Sequence, residues 1–279
     1  MDIVLALWAA VVYGVADYCG GRASRSVSAI TVTFVGQSAA LVVLLGFVLV
    51  AGTPVPPASD FVWGGIAGMA GATGLLAFYR AMGSGFMTVV APVSAVTATA
   101  VPVVIGLSTG ERPGVTALLG IPFALVAIAL VSDVLGPHHR RAPWRVIVMA
   151  FVSGLTFGSL FVILGHTDDS GGLWPVVAMR FTSVPYMFIV VRAMRRPLDQ
   201  VKGHARVVLA SGILDSVANG LYVLAVRHGL MSIVATVNSF YPASTLMLAV
   251  HVDKERIHRS QAVGLVMAAC SLLLISLGR

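Results

Sequence analysis

Three ionisable side chains lie inside long apolar stretches of this 279-residue sequence, where little water is available to solvate a charge. Asp215 stands near the centre of one stretch, Arg180 lies inside another, and Asp17 lies near the end of a third. A charge at the centre of a spanning helix costs at least about 2.5–3.5 kcal/mol, so a functional role is the first hypothesis. Asp215 could hold a substrate cation or a proton, and Arg180 could bind a substrate carboxylate through two hydrogen bonds.

Polar side chains follow Asp215 at helical spacing. Asn219 and Tyr222 stand at i+4 and i+7, so a helix would place all three on one face. That face offers a carboxylate, an amide and a phenol to a polar ligand, and Tyr13 of the first stretch is a further candidate for the same cavity. The alternative is a cluster that only joins helices by hydrogen bonds. Arg180 could likewise form a structural ion pair with Asp215 or extend toward the surface.

A proline-containing segment of the ninth apolar stretch adds Asn238 and Tyr241 as candidates for binding substrate. Pro242 removes a backbone hydrogen bond and can free a carbonyl for a ligand. The fourth stretch carries Pro92 and Pro102 in the corresponding region. Broken or kinked helices at equivalent places of two halves mark the binding region of many transporters. The alternative is a simple bend, since proline is frequent in spanning helices.

The composition is that of a membrane protein. Hydrophobic residues make up 58% of the chain and charged residues 10%, whereas soluble proteins carry roughly 25% charged residues. This excludes a cytosolic enzyme, a disordered chain and a nucleic-acid-binding domain. No glycine-rich phosphate loop with a lysine is present, so we expect no direct use of ATP. We also expect no cofactor, no bound metal and no catalytic residue.

Ten apolar stretches are long enough to cross a bilayer as helices, which takes about 20 residues each. They cover residues 3–20, 30–50, 61–82, 87–107, 114–134, 146–165, 173–193, 206–226, 231–251 and 260–277. The apolar runs are unbroken, unlike the alternating strands of a membrane barrel. The sequence therefore predicts an all-α membrane protein with ten transmembrane helices.

The second half of the chain repeats the first at a shift of 144 residues, which aligns Glu111-Arg112 with Glu255-Arg256. We expect both glutamates to orient the helix that follows, because a carboxylate suits the positive end of a helix dipole. Five spans per half is an odd number, so the halves would form two inverted five-helix repeats. Transporters of this kind bind substrate near the midplane between the repeats. The predicted units are a first repeat over 1–135, a basic linker loop over 136–145 and a second repeat over 146–279.

Short motifs along the whole chain resemble the EamA-type transporters of the drug/metabolite transporter superfamily. They are Trp8-Ala9-Ala10 with Tyr13-Gly14, Phe78-Tyr79-Arg80-Ala81, Gly110-Glu111-Arg112, Met179-Arg180-Phe181, Tyr222 with Ala225, and Lys254-Glu255-Arg256. The resemblance implies a small-solute carrier, often an exporter of amino acids or other metabolites. Gly36-Gln37 departs from the pattern, because such families often carry an arginine there. Any role of that arginine is absent from this half.

The basic residues indicate an orientation. Most of the 18 lysines and arginines lie in loops that follow odd-numbered spans. The positive-inside rule then places these loops in the cytoplasm and both termini outside. The resemblance implies the opposite, since many members are thought to have cytoplasmic termini. We follow the charge distribution.

The leading hypothesis is a secondary transporter of the cell membrane that works by alternating access. It would carry a small organic solute such as an amino acid, metabolite or drug, with export and proton coupling through Asp215 as further expectations. We expect a monomer or homodimer in the lipid bilayer with no nucleic-acid partner. One alternative is an intramembrane enzyme on lipid-linked substrates, which the scarcity of carboxylates and histidines within the spans disfavours. Another is a uniporter or channel.

Overall fold

The structure is a computed structural model that describes residues 1–84, 87–131, 142–168, 171–196, 198–252 and 258–278. Within these ranges the chain forms α-helices, a 3-10 helix at Asp199–Val201 and connecting turns, with no strand. Much of the predicted basic linker and the whole Lys254-Glu255-Arg256 turn lie outside the described residues.

The helices of the described residues are numbered here in chain order. They are α1 Asp2–Ser24, α2 Ala29–Val50, α3 Ala58–Met82, α4 Met87–Ser108, α5 Val115–Val131, α6 Trp144–Leu164, α7 Trp174–Ala193, α8 Ala205–Val226, α9 Met231–Asn238, α10 Tyr241–Val252 and α11 Arg259–Leu277. Seven of them, α1, α2, α3, α6, α7, α8 and α11, are long and apolar enough to cross a membrane. Two shorter apolar helical segments cover residues 93–108 and 115–131. The chain is therefore an all-helical, multi-pass membrane protein.

The ninth predicted span differs from expectation, because it is two helices rather than one. α9 ends at Asn238 and α10 begins at Tyr241. The N–H of Phe240 donates to the carbonyl of Val237 at 3.2 Å, a tighter turn than the α-helix makes. Pro242 follows and has no N–H to continue the α-helical ladder.

The matching break expected in the first half is absent. α4 runs without interruption from Met87 to Ser108, through Pro102. A spanning helix can continue past a proline where its neighbours accommodate the missing hydrogen bond. α4 is therefore not broken, and the expected kink at its prolines stays a prediction.

Close helix packing in the bundle depends on glycines of α3. A side chain at Gly64 or Gly68 would overlap the backbone of α7, at Pro175 and Met179 respectively. The hydroxyl of Thr182 on α7 also donates to the carbonyl of Gly65 at 2.8 Å. Small residues of this kind let two membrane helices approach closely. α3 and α7 thus pack closely against each other.

The first half (α1–α5) and the second half (α6–α11) interlock. α1 packs on α8, while α6 packs on α3 and α4. α5 and α11 lie side by side in opposite directions, as two contacts at their ends demonstrate. The Gly114 N–H donates to the Gly278 carbonyl at 3.1 Å at one end, and the Gln261 amide donates to the Val131 carbonyl at 3.2 Å at the other. The halves therefore share one bundle.

Glu111 joins the halves at one end of that bundle. Its carboxylate oxygens accept hydrogen bonds from the backbone N–H groups of Met231 at 2.7 Å and Ser232 at 3.0 Å. These are the first residues of α9, whose free N–H groups attract a carboxylate. A side chain at Gly106 would overlap the carboxylate, so this glycine leaves room for it. Glu111 thus caps a helix of the other half, not the helix that follows it as the sequence suggested.

Candidate functional site

A cavity with about 510 Å³ of space between atoms lies near the middle of the long helices. Its polar lining consists of Tyr13, Asp17, Arg180, Asp215, Asn219 and Tyr241. Its larger apolar side chains are Leu75, Phe157, Leu160, Phe161 and Met179. Both halves of the chain contribute to the wall.

An ion pair forms the charged part of this wall. Nη2 of Arg180 lies 2.5 Å from Oδ2 of Asp215, with only 2% and 14% of the two side chains exposed. Nε of Arg180 donates to the Ser216 hydroxyl at 2.8 Å, and Nδ2 of Asn219 donates to the backbone carbonyl of Asp215 at 2.7 Å. Buried charges persist only when they are paired and hydrogen-bonded in this way. As a unit, the pair is neutral.

Aromatic rings form another part of the wall. The ring of Phe161 meets the ring of Tyr13 edge to face, with centroids 6.0 Å apart. Tyr222 stacks behind it at 4.6 Å and donates its hydroxyl to the Phe161 carbonyl at 3.1 Å. Tyr222 is fully buried. Tyr222 lies behind the residues that line the cavity and contacts Phe161 instead, so its role in binding substrate stays a prediction.

Asn238 lies at the end of α9, away from the cavity lining. It is fully buried, and neither Nδ2 nor Oδ1 has a hydrogen-bond partner among the described residues. Tyr241, at the start of α10, does line the cavity. The helix break separates the two residues, so they do not share one face as a continuous helix would allow.

The structure brings together Tyr13, Arg180, Asp215, Asn219 and Tyr241 from the sequence-predicted site, and places Asp17 in the same wall. Sequence reasoning missed the apolar lining, because apolar residues fill every span. The shift of 144 was the available signal, since it carries Tyr13 onto Phe157 and Asn219 onto Leu75. Within the described ranges, no three His, Cys, Asp or Glu side chains come together as a metal site would require.

Comparisons with known proteins agree with this architecture. A family model described as the EamA-like transporter family matches residues 1–133 and 144–277. No curated protein matches the chain. Sixteen chains of solved structures do. One of them, described only as the crystal structure of a protein, superposes with a TM-score of 0.79 over 99% of this chain and 96% of its own. The two sequences are 14% identical, so this likeness concerns the fold alone.

Proposed function

The chain belongs to the EamA-like transporter family, and on that premise we propose that it carries a small amphoteric solute by alternating access. The solute has a carboxylate, an ammonium group and an apolar part, as an apolar amino acid does. The observation that carries the proposal is the Arg180–Asp215 ion pair in the wall of the central cavity. Each member of the pair matches one charge of such a solute.

Binding replaces the ion pair with two new ones. The solute carboxylate takes the guanidinium of Arg180, and its ammonium group takes the carboxylate of Asp215. No buried charge is left without a partner, so the large penalty for an isolated ion is avoided. Charge-assisted hydrogen bonds at both ends give strong, oriented recognition. The apolar part of the solute lies against Leu75, Phe157 and Leu160.

We propose that the solute moves when two inverted five-helix repeats rock about an axis in the membrane plane, with α9 and α10 together as the ninth of ten spans. The antiparallel pairing of α5 and α11 supports this, because these helices are equivalent at the shift of 144. Gly120 packs against Ile275, and its equivalent Gly264 packs against Val131, the equivalent of Ile275. Such reciprocal contacts are expected of two repeats related by a two-fold axis.

Proton coupling then depends on the charge of the solute. A zwitterion satisfies both Arg180 and Asp215, so it moves without a proton. A monoanion takes Arg180 alone and leaves Asp215 buried without its cation, and the carboxylate binds a proton instead. The proposed physiological direction is export, with the odd-numbered loops in the cytoplasm and both termini outside. A C-terminal reporter that is active only in the cytoplasm tests this orientation, which predicts a silent reporter.

The test compares leucine with 2-hydroxy-4-methylpentanoate, which replaces the ammonium group by a hydroxyl. Calorimetric titration of the purified protein in buffers of different ionisation enthalpy measures protons taken up on binding. We expect none with leucine and one per bound hydroxy acid. Flux into liposomes should saturate with leucine concentration, which separates a carrier from a channel. Failure of both solutes to bind, or equal proton uptake with both, contradicts the proposal.

Two aspartate variants test which carboxylate binds the proton that is taken up with the hydroxy acid. Asp215→Asn should still bind the hydroxy acid but without proton uptake, and should bind leucine about 10–100-fold more weakly, as expected for loss of a charged hydrogen bond. Asp17→Asn is the matched control, because Asp17 lines the same cavity while Arg180 bonds to Asp215 and Ser216. It should keep the proton uptake. The reverse pattern would assign the proton to Asp17.

A further inference from the structure

A second, smaller cavity lies between α2, α3 and α8, with about 210 Å³ of space between atoms. We call it the Gln37 cavity. Its polar lining consists of Thr33, Gln37, Tyr79, Ser211 and Asp215. Asp215 and Leu75 line both this cavity and the central one. Asp215 therefore meets a separate compartment from the one that faces Arg180.

The Gln37 cavity contains polar groups that the protein leaves unsatisfied. Gln37 is 1% exposed, and neither its Nε2 nor its Oε1 has a partner among the described residues. The Thr33 hydroxyl is also buried without a partner there. An unsatisfied buried polar group costs about 1–3 kcal/mol, so folded proteins pair such groups with water or a ligand. Because the Gln37 amide can both donate and accept hydrogen bonds, its unsatisfied atoms indicate that the cavity binds a molecule.

The chemistry of the lining identifies the occupant as water. Apart from Asp215, the polar side chains in contact with the cavity are an amide, two aliphatic hydroxyls and a phenol. Arg180 already neutralises Asp215, so a metal cation would add an uncompensated charge. A water molecule occupies about 30 Å³ in the liquid and seeks two to four polar partners. The cavity offers this environment to about one water, and it is too small for a second organic solute.

The position of the cavity gives this water a role. Thr33 and Gln37 lie in the first half of α2, and Ser211 lies in the first half of α8. Both helices begin at loops that follow odd-numbered spans. Tyr79 stands three residues before the end of α3, at the same side of the bundle. The Gln37 cavity thus extends from Asp215 toward the odd-loop side.

We propose that water in the Gln37 cavity delivers protons to Asp215 from the odd-loop side, so that protons and solute reach this carboxylate by different routes. The proposal rests on the proton coupling of the proposed function. The other titratable or charged groups that share a cavity with Asp215 are Tyr13, Asp17, Tyr79, Arg180 and Tyr241. Of these, Tyr79 lines the Gln37 cavity.

The transfer balances as follows. When a monoanion takes Arg180, one O–H bond forms on the Asp215 carboxylate and one O–H bond breaks on the adjacent water. That water regains a proton from solvent at the odd-loop side. Gln37 holds this water in place, because its amide can both donate to it and accept from it. No proton passes through the solute.

The test uses Gln37→Leu, which keeps a similar volume and removes both polar ends. In liposomes with an entrapped pH dye, we expect proton movement driven by 2-hydroxy-4-methylpentanoate to slow by roughly 100-fold, as for loss of a positioned proton-transfer group. Leucine exchange should stay at the wild-type rate. Gln37→Asn, which keeps an amide, should recover part of the proton movement. Leucine exchange also verifies that each variant is folded.

The outcomes separate this inference from the proposed function. If the wild-type protein moves no protons with the hydroxy acid, both the coupling and the water route are wrong. If wild type and Gln37→Leu move protons equally fast, the water route is wrong and the proposed function stands. Equal slowing of leucine exchange and proton movement would mean that Gln37 acts on the solute site, which also overturns the inference. Only selective loss of proton movement supports it.

Discussion

The α3 and α8 walls of the central cavity occupy equivalent positions but carry different chemistry. At the shift of 144, Gly71 and Leu75 of α3 align with Asp215 and Asn219 of α8, and all four line the same cavity. Both halves therefore supply residues that line the central cavity. Only the second half supplies a charge at these positions.

α1 and α6 also differ in polarity, but in the opposite sense. Tyr13 and Asp17 align with Phe157 and Phe161, and these four also line the cavity. Here the first half is polar and the second is apolar. The polar walls are therefore α1 and α8, which pack on each other, and the apolar walls are α3 and α6, which also pack on each other. This division suits a solute with one charged end and one apolar end.

The largest expected effect comes from removing Arg180, the α7 cation that lines the cavity beside Asp215. Arg180→Met leaves Asp215 buried without its partner, which should lower the free energy of unfolding by about 3–5 kcal/mol. Transport of carboxylates should be lost. Thermal unfolding in detergent and flux into liposomes measure the two effects. Adding Asp215→Asn should restore most of the stability and none of the transport; a double variant as unstable as the single one would contradict this account.

Making the apolar wall resemble its polar equivalent should change the solute preference. Leu75→Asn places an amide on α3 where α8 carries Asn219. We expect the preference for leucine over glutamine to fall about 10-fold, in the range that one altered pocket contact gives. Competition binding measures the ratio. Leu76→Asn is the control, because Leu76 packs in a separate cluster with α2 and α7 and should leave the ratio unchanged.

Replacing Tyr13 of α1 by phenylalanine, the residue at the equivalent position of α6, should raise stability rather than lower it. The Tyr13 hydroxyl is buried without a partner among the described residues, so Tyr13→Phe should raise the free energy of unfolding by about 1 kcal/mol. It should also weaken solute binding. Tyr222→Phe is the matched comparison: it removes a hydrogen bond to Phe161 and should lower stability by about 1 kcal/mol. Thermal unfolding without solute measures both stability changes. Changes of the same sign would contradict the view that the Tyr13 hydroxyl lacks a partner while the Tyr222 hydroxyl donates a hydrogen bond.

The smallest effect should come from the contact that joins the halves at α9. Glu111→Gln keeps an acceptor for the N–H groups of Met231 and Ser232 but removes the charge. The loss of the interaction with the helix dipole should lower stability by about 0.3–1 kcal/mol. Arg112→Gln, at the neighbouring exposed position, should change stability less. Thermal unfolding at low salt measures the difference, and equal losses would show that the cap carries no electrostatic component.

The helix positions could be predicted closely because apolar length is the dominant signal in a membrane. The second span was predicted over 30–50, and α2 covers Ala29–Val50. The sequence could not predict that one helix breaks before Tyr241 while α4 continues through Pro102. Both segments contain proline, and the outcome depends on contacts with neighbouring helices that the local sequence does not contain.

The charged part of the cavity could also be predicted, because Arg180 and Asp215 stand out against an apolar background. The apolar part could not, since Phe157 and Leu160 resemble the lipid-facing residues of any span. In the sequence, Gln37 is notable only because the families that the chain resembles often carry an arginine at this place. Its importance depends on a cavity and on unsatisfied polar atoms, which appear only once the helices are packed.

The interlocking of α1 with α8 and of α3 with α6 and α7 has a consequence for biosynthesis. When the ribosome has completed only the first five helices, the glycine-lined surface of α3 still lacks the helices that will cover it. The nascent chain must therefore wait in the lipid until α6 to α8 have left the translocon. A polypeptide that stops after α5 should be unable to complete its packing, and membrane proteases should remove it.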